Sequence, residues 1–187
     1  MLEQVSPLSV WLPILVSTVI VFVAAFLFWQ VLPHHRSDWV SIPNEESLLQ
    51  VLRNLSLKRG QYVFPHAMTP EGGKDPEAVA KAKEGPLGSL VIWAPPNMAR
   101  NLVQYFAFCL AVSFMVAYVG YAAIPPGVEY LHVFRVLGTT AVLAYAAAEI
   151  PHAIWFGRTW SSIWKSVIDG LVFGLLTGGA FGWLWPS

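Results

Sequence analysis

Four long apolar stretches constrain the fold of this chain more than any other feature of its sequence. A transmembrane helix needs about 20 apolar residues to cross the roughly 30 Å hydrocarbon core of a bilayer. The four stretches reach that length at positions 10–32, 102–124, 130–155 and 163–185. Lipid offers no hydrogen bonds to the backbone, and runs this continuous exclude the alternating strands of a barrel. We therefore predict an all-α membrane protein with four transmembrane helices.

The composition agrees with this prediction. Of 187 residues, 56% are hydrophobic and 12% are charged, whereas soluble domains are about 45–50% apolar and about 25% charged. The formal net charge is zero, which gives no reason to expect nucleic acid as a partner. The single cysteine, Cys109, lies inside an apolar stretch. One thiol forms neither an internal disulfide nor a cysteine metal cluster, so a small core residue is expected there.

The placement of lysine and arginine predicts the orientation in the membrane. The loop between the first two spans carries eight of these residues, and Arg158 and Lys165 lie between or near the last two spans. The N-terminal tail, the turn at 124–129 and the C-terminal tail carry none. Because cytoplasmic loops are enriched in Lys and Arg, both termini are expected outside and the large loop inside. The N-terminal flank also lacks the positive charge of a signal peptide, so the first span is expected to be retained.

The polar segment 33–101 is predicted to form a small α+β cytoplasmic lobe between the first two membrane helices. Asn44 is the expected cap of a helix that ends at Lys58-Arg59-Gly60. Pro76 predicts the start of a second short helix over 78–83. The segment contains no phosphate-binding glycine loop, nucleophile elbow or zinc-ligand spacing. The sequence therefore argues against an enzyme without excluding one.

Two short apolar runs in the same lobe, 61–64 and 87–93, are strand candidates that could pair with each other. Asn97 is the expected cap of the second span. The predicted organisation has three parts: the tail and first membrane helix (1–32), the lobe (33–101) and the other three membrane helices (102–187).

The fourth span carries small residues at every fourth position: Ser166, Gly170, Gly174, Gly178 and Gly182. Membrane helices associate largely through close packing, and a ridge of small residues lets two backbones approach each other. The ridge is therefore predicted to face protein rather than lipid. Packing against another span of the same chain is the first interpretation. The alternative is an interface with a second copy or with another membrane protein.

Ionisable side chains lie inside spans three and four, at His132, Arg135, Glu149, His152 and Asp169. Such groups are costly in lipid and usually face a bundle interior or water. Local ion pairs, such as Arg135 with Glu129, are the simpler interpretation. The alternative is a pathway for protons, ions or small solutes along span three. Pro151 lacks a backbone N–H and predicts a kink that frees the carbonyl of Ala147.

A metal site is a further possibility at the cytoplasmic ends of the spans. His34, His35 and Asp38 follow span one, and acidic, basic and imidazole groups reach the same level on spans three and four. Imidazoles and carboxylates can hold zinc, iron or manganese, which gives the candidate ligands His34, His35, Glu149, His152 and Asp169. Glu149 and His152 have the i, i+3 spacing of di-iron bundles, but the second such motif is absent. Ion pairing of Lys165 with Glu149 or Asp169 is the simpler interpretation, and the sequence assigns no cofactor.

Three segments carry a resemblance to known proteins: Leu131-His132-Val133-Phe134-Arg135, Ala153-Ile154-Trp155-Phe156-Gly157-Arg158 and Gly182-Trp183-Leu184-Trp185-Pro186. They resemble a group of uncharacterised small four-helix bacterial inner-membrane proteins. The resemblance covers most of the chain and implies a bacterial inner-membrane location, but no activity. The sequence favours, in order, a structural or interaction subunit that assembles through span four, a channel or transporter subunit, and a membrane-embedded metal-binding enzyme.

Overall fold

The structure, a computed structural model, describes residues 7–187 and divides into two compact units. One unit is formed by the chain up to Trp39 together with Asn97–Ser187, and the other by Val40–Pro96. The elements in chain order are α1 (Trp11–Phe26), α2 (Glu45–Leu55), β1 (Gly60–Phe64), α3 (Pro76–Glu84), β2 (Gly88–Ile92), α4 (Met98–Ala123), α5 (Tyr130–Ala146), α6 (Ile150–Phe156) and α7 (Trp160–Leu184).

The first unit, called the helical unit below, contains four helical spans that are long and apolar enough to cross a membrane. Within the described residues these are Trp11–Val31, Met98–Ala123, Tyr130–Phe156 and Trp160–Leu184. The prediction of four long apolar helices is confirmed. Their outward faces carry exposed large apolar side chains, for example Leu15, Phe114 and Leu171. Surface of this kind suits a surrounding of lipid acyl chains.

The third span is broken rather than continuous. A 3₁₀ turn over Ala147–Glu149 separates α5 from α6, and Pro151 lies in the first turn of α6. Proline has no N–H to donate and its ring crowds the preceding turn. The kink predicted at this proline is therefore a short interruption of the α-helix.

Helix α7 is the central element of the helical unit. It packs most extensively against α5 and also packs against α1. One core cluster includes Val133, Leu137 and Phe181, and a second includes Cys109 and Phe173. Cys109 is fully buried, as expected for a small core residue.

The glycine ridge of α7 lies against α5 of the same chain. A Cβ on Gly178 would lie 2.7 Å from the Cα of Gly138, and one on Gly170 would lie 2.8 Å from the Cβ of Ala146. Gly174 meets the backbone of Val142, and Gly182 meets the ring of Tyr130. Ser166, at the start of the series, is half-buried. The four glycines thus serve intramolecular packing, and the surface required for assembly through the ridge is covered within one chain.

The second unit contains a two-stranded antiparallel sheet. Strands β1 and β2 pair from Gly60 opposite Ile92 to Phe64 opposite Gly88, which confirms the predicted pairing of the two apolar runs. Helix α3 begins as predicted, with Pro76 in its first turn and the Asp75 carboxylate accepting a hydrogen bond from the Glu77 amide.

The predicted start of α2 is confirmed, because Asn44 occupies the N-cap position, but the predicted end of the helix is wrong. Asn44 adopts a left-handed conformation (φ 54°, ψ 52°), and its side chain makes no capping hydrogen bond to α2. Asparagine tolerates this conformation better than most residues. Ser56 is also left-handed and ends α2, so the helix does not reach Lys58-Arg59-Gly60. Gly60 instead begins β1. The cap predicted for the second span is confirmed, because the Asn97 side chain accepts from the amide of Arg100.

Candidate metal centre

A short turn carries two histidines onto the end of the helical unit where α1 finishes and α7 begins. Helix α1 ends in a π-helical turn at Leu27–Val31, and Leu32 is extended. Pro33 then starts a 3₁₀ helix, Pro33–Asp38, in which proline at the first position loses no hydrogen bond. This turn brings His34 and His35 to α7. We call this end of the unit the histidine end.

Both histidines contact the carboxylate of Asp169 on α7. The Nε2 atom of His34 lies 3.1 Å from Oδ1, and the Nε2 atom of His35 lies 2.7 Å from Oδ2. The potential ligand atoms of the three side chains all lie within 4.8 Å of one another. One metal ion could therefore contact all three after small side-chain movements.

A second carboxylate holds His35 from its other nitrogen. The Nδ1 atom of His35 lies 2.6 Å from Oδ2 of Asp38, and Lys165 donates to Oδ1 of Asp38 at 2.6 Å. Lys165 also donates to the Ser37 hydroxyl at 2.8 Å. Burial acts to raise the pKa of Asp38, but the hydrogen bonds from Lys165 and His35 outweigh it and hold that pKa below its ordinary value.

The core of this cluster is removed from solvent. The side chains of His35, Asp38 and Asp169 are only 3–5% exposed, whereas that of His34 is 31% exposed. The indole of Trp29 stacks on His35 with ring centroids 3.9 Å apart and an interplanar angle of 7°. The ring of Phe28 lies edge-on to His34 at 5.6 Å. Water or a ligand can therefore reach the cluster from the side of His34.

The position of His35 between two carboxylates sets a charge requirement. An ionised carboxylate only accepts hydrogen bonds, and a neutral imidazole has only one N–H to donate. Both contacts of His35 are satisfied if the ring carries a proton on each nitrogen. They are also satisfied if a metal ion replaces the proton that faces Asp169. Lys165 balances the charge of Asp38, and an ionised Asp169 would take its balancing charge from a doubly protonated His35 or from a metal ion.

Two candidate ligands from the third span lie outside this cluster. The Glu149 carboxylate accepts from Arg158 at 2.8 Å. The Nδ1 atom of His152 lies 3.1 Å from the carbonyl oxygen of Ala148, and the residue is exposed. The structure therefore brings together His34, His35 and Asp169, without Glu149 or His152.

The predicted ion pairs of this region are wrong. Lys165 pairs with Asp38 rather than with Glu149 or Asp169, because the turn Pro33–Asp38 brings the Asp38 carboxylate to Lys165. Within residues 7–187, Arg135 forms no ion pair, so the expected pair with Glu129 is not present. Glu129 lies outside α5 at its N-cap position, with ψ 143°, whereas Arg135 lies in the second turn of the helix.

The remaining polar residue of the span-three stripe, His132, is exposed on α5, as is Arg135. They do not face the interior of the helical unit. The stack of Trp29 on His35 was not foreseen, since the sequence indicates only an aromatic residue near a membrane interface. No family model, curated protein or solved structure matches this chain. Its function must therefore be inferred from the geometry of its side chains.

Proposed function

We propose that this chain is a multi-pass membrane protein that binds one divalent transition-metal ion through His34, His35 and Asp169. The observation that carries the proposal is the buried contact of His35 with Asp169 on one side and Asp38 on the other. Two imidazoles and a carboxylate are a donor set suited to zinc, iron(II) or manganese. A metal ion at this place would supply the positive charge that the cluster requires.

The groups around the three proposed ligands also support metal binding. A metal-bound histidine usually donates its other N–H to a carboxylate or carbonyl, which fixes the ring and makes it a better ligand. Asp38 occupies that position on His35. Lys165 neutralises Asp38, so the charge of Asp169 is left for the ion. The stacked indole of Trp29 holds the imidazole plane.

Three protein ligands leave coordination positions open on the ion. Sites of this kind are typical of catalytic metals, whereas structural zinc sites use four protein ligands. A bound ion would polarise a substrate oxygen or lower the pKa of a bound water. The partly exposed ring of His34 marks the side from which water or a substrate would reach the ion.

The histidine end is proposed to face the cytoplasm of a bacterium. Eight of the eleven Lys and Arg residues lie in the loop between the first two spans, and the positive-inside tendency places that loop inside. The termini would then lie outside the inner membrane. Assembly of several copies through the glycine ridge is the less favoured proposal, because those glycines already pack against α5.

A second function is favoured by the same charge requirement. If His35 carries two protons, four side chains form one hydrogen-bonded series that could pass a proton along the histidine end. They are His34, Asp169, His35 and Asp38. The chain would then be a proton-handling membrane subunit. The two functions differ in one measurable property, which is bound metal.

Metal analysis of the full-length protein tests the proposal. The protein is purified in mild detergent, loaded separately with Zn²⁺, Mn²⁺ or anaerobic Fe²⁺, and freed of excess ion before elemental analysis. We expect about one ion per chain for at least one metal. His35→Gln and Asp169→Asn should lose the ion, while Glu149→Gln and His152→Asn should keep it. Size-exclusion profiles and circular dichroism show whether each variant is folded.

Two results would overturn the metal proposal. The first is folded wild-type protein that retains far less than one ion after loading with all three metals. The second is equal metal retention in wild type, His35→Gln and Asp169→Asn. After the first result, proton handling is the function to test. Proton flux into liposomes that contain an internal pH dye is then compared between wild type and Asp169→Asn.

A further inference from the structure

A groove between α1 and α4 opens at the histidine end of the helical unit. Its volume is about 620 Å³, within the range of about 300–1,000 Å³ that is typical of small-molecule sites. Phe22 and Phe26 of α1 and Leu102 of α4 line its apolar part. All of these residues belong to spans that are long and apolar enough to lie in a bilayer, so lipid is the medium at its mouth.

The two amide side chains of this groove lie at one end. Gln30 is in the last turn of the first span, and Asn101 is in the first turn of α4. Phe22 lies about two turns deeper along α1 than Gln30. Among residues 7–187, neither the Gln30 nor the Asn101 side chain has a hydrogen-bond partner, and both are exposed. The deeper part of the groove is thus lined mainly by apolar and aromatic side chains, including Tyr105, and two amides without partners lie at the level proposed for the lipid head groups.

We propose that this groove binds a single-chain lipid with an uncharged head group that carries hydroxyl or carbonyl oxygens, such as a monoacylglycerol. Gln30 and Asn101 each offer both a donor and an acceptor, which suits such a head group. No ionised side chain lines the groove. A phosphate or carboxylate head group would therefore bring a charge that the groove does not balance.

The groove and the candidate metal centre share one residue. Trp29 lines the groove, and its indole also stacks on the His35 imidazole at 3.9 Å. A lipid in the groove therefore contacts the side chain that orients His35. The inference goes beyond metal binding and does not require it, since none of the three proposed metal ligands lines the groove.

Photolabelling of the full-length protein tests this inference. The protein is placed in nanodiscs of phosphatidylcholine with a monopalmitoylglycerol that carries a diazirine in its chain. After irradiation, the labelled peptides are identified by mass spectrometry. We expect saturable labelling at residues 22–30 and 98–105, competed by unlabelled monopalmitoylglycerol and not by palmitate or added phosphatidylcholine.

Matched variants show whether the label lies in the groove. Leu102→Trp fills the groove and should lower saturable labelling about tenfold, equivalent to ~1.4 kcal/mol of binding free energy. Val103→Trp adds the same ring one position along, at a residue that is 69% exposed and does not line the groove, and should leave labelling unchanged. Asn101→Leu should weaken competition by monopalmitoylglycerol, whereas Gln104→Leu, outside the groove, should not.

Three results would overturn the inference. They are labelling that spreads evenly over all four spans, equal competition by palmitate or phosphatidylcholine, and equal loss of labelling in Leu102→Trp and Val103→Trp. Metal content is measured on the same preparations after loading with Zn²⁺, Mn²⁺ or anaerobic Fe²⁺ as above. Labelled protein without metal overturns the proposed function alone, and metal-loaded protein without saturable labelling overturns the lipid site alone. Size-exclusion profiles confirm that each variant is folded.

Discussion

The Nζ atom of Lys165 lies 2.6 Å from Oδ1 of Asp38, and this contact joins α7 to the turn that follows α1. The Asp38 side chain is 3% exposed and that of Lys165 is 24% exposed. A carboxylate buried without a partner costs several kcal/mol. The ammonium group therefore permits the burial of Asp38, and with it the position of the turn that carries both histidines.

Replacement of Lys165 by methionine should destabilise the helical unit. Lys165→Met keeps the apolar stem but leaves Asp38 without its cation. Loss of one partner from a fully buried pair costs about 3–5 kcal/mol. Because Lys165 is partly exposed, we expect a fall of about 1–3 kcal/mol in the free energy of unfolding. Denaturant unfolding in mild detergent measures the change.

An exposed ion pair provides the control for Lys165→Met. Lys81 donates to Glu77 at 2.6 Å on α3, and both side chains are largely exposed. Water screens surface pairs and they contribute little to stability, so Lys81→Met should have little effect. Equal destabilisation by the two lysine variants would contradict the role assigned to the buried pair.

The lowered pKa of Asp38 predicts a pH dependence of stability. The ordinary carboxyl value is 3.8 and the folded pKa lies below it, so the unfolded chain takes up the proton at the higher pH. The stability contributed by the ionised carboxylate is thus fully present above about pH 5 and is lost as pH falls through 3.8 toward the folded pKa. The measured quantity is the difference in unfolding free energy between wild type and Asp38→Asn. We expect this difference to be constant from pH 7 to 5 and to become smaller in more acidic buffer. A difference that becomes larger on acidification would contradict the predicted direction.

The four spans could be predicted from the sequence because their signal is local. A run such as residues 102–124 carries no charged residue over its whole length, and its length and composition are those of a membrane-crossing helix. The two strands of the second unit could also be predicted, from short apolar runs between turn residues. The end of α2 was predicted at Gly60 but lies at Leu55, because several residues near a helix end could terminate it and backbone conformation selects among them.

The contacts at the histidine end depend on features that the sequence does not fix. The predicted ends of the four spans placed His34, His35 and Asp169 at one level, but they placed Glu149 and His152 at that level as well. The rotation of each helix about its axis decides which side chains meet, and the break before α6 turns Glu149 toward Arg158. The path of a six-residue turn, Pro33–Asp38, determines that Asp38 reaches Lys165.

Replacement of Arg135 by leucine should be tolerated. Arg135 is exposed on α5, about one and a half turns from its start, and a long arginine stem can carry the charge to the interface. Arg135→Leu should change the free energy of unfolding by less than about 1 kcal/mol and should leave metal content unchanged. A large loss of stability would indicate that Arg135 is held by another chain, and would restore the polar stripe of α5 as an interaction surface.

Neighbouring glycines on α7 allow a direct test of the glycine ridge. A Cβ on Gly178 would lie 2.7 Å from the Cα of Gly138 and 3.0 Å from the carbonyl oxygen of Phe134. These are backbone atoms, which cannot rotate away, so α5 and α7 must separate. Gly178→Ala should lower the free energy of unfolding by about 1–3 kcal/mol, measured in mild detergent.

Gly179 supplies the matched control for this variant. A Cβ there meets only the Tyr130 hydroxyl, at 3.8 Å, which is an ordinary contact. Gly179→Ala should therefore be neutral, or stabilising by up to about 1 kcal/mol through helix propensity. Light scattering on both variants reports the oligomeric mass. Equal stability of the two variants, together with loss of an oligomer in Gly178→Ala alone, would make the ridge an interface between chains rather than the α5–α7 contact within one chain.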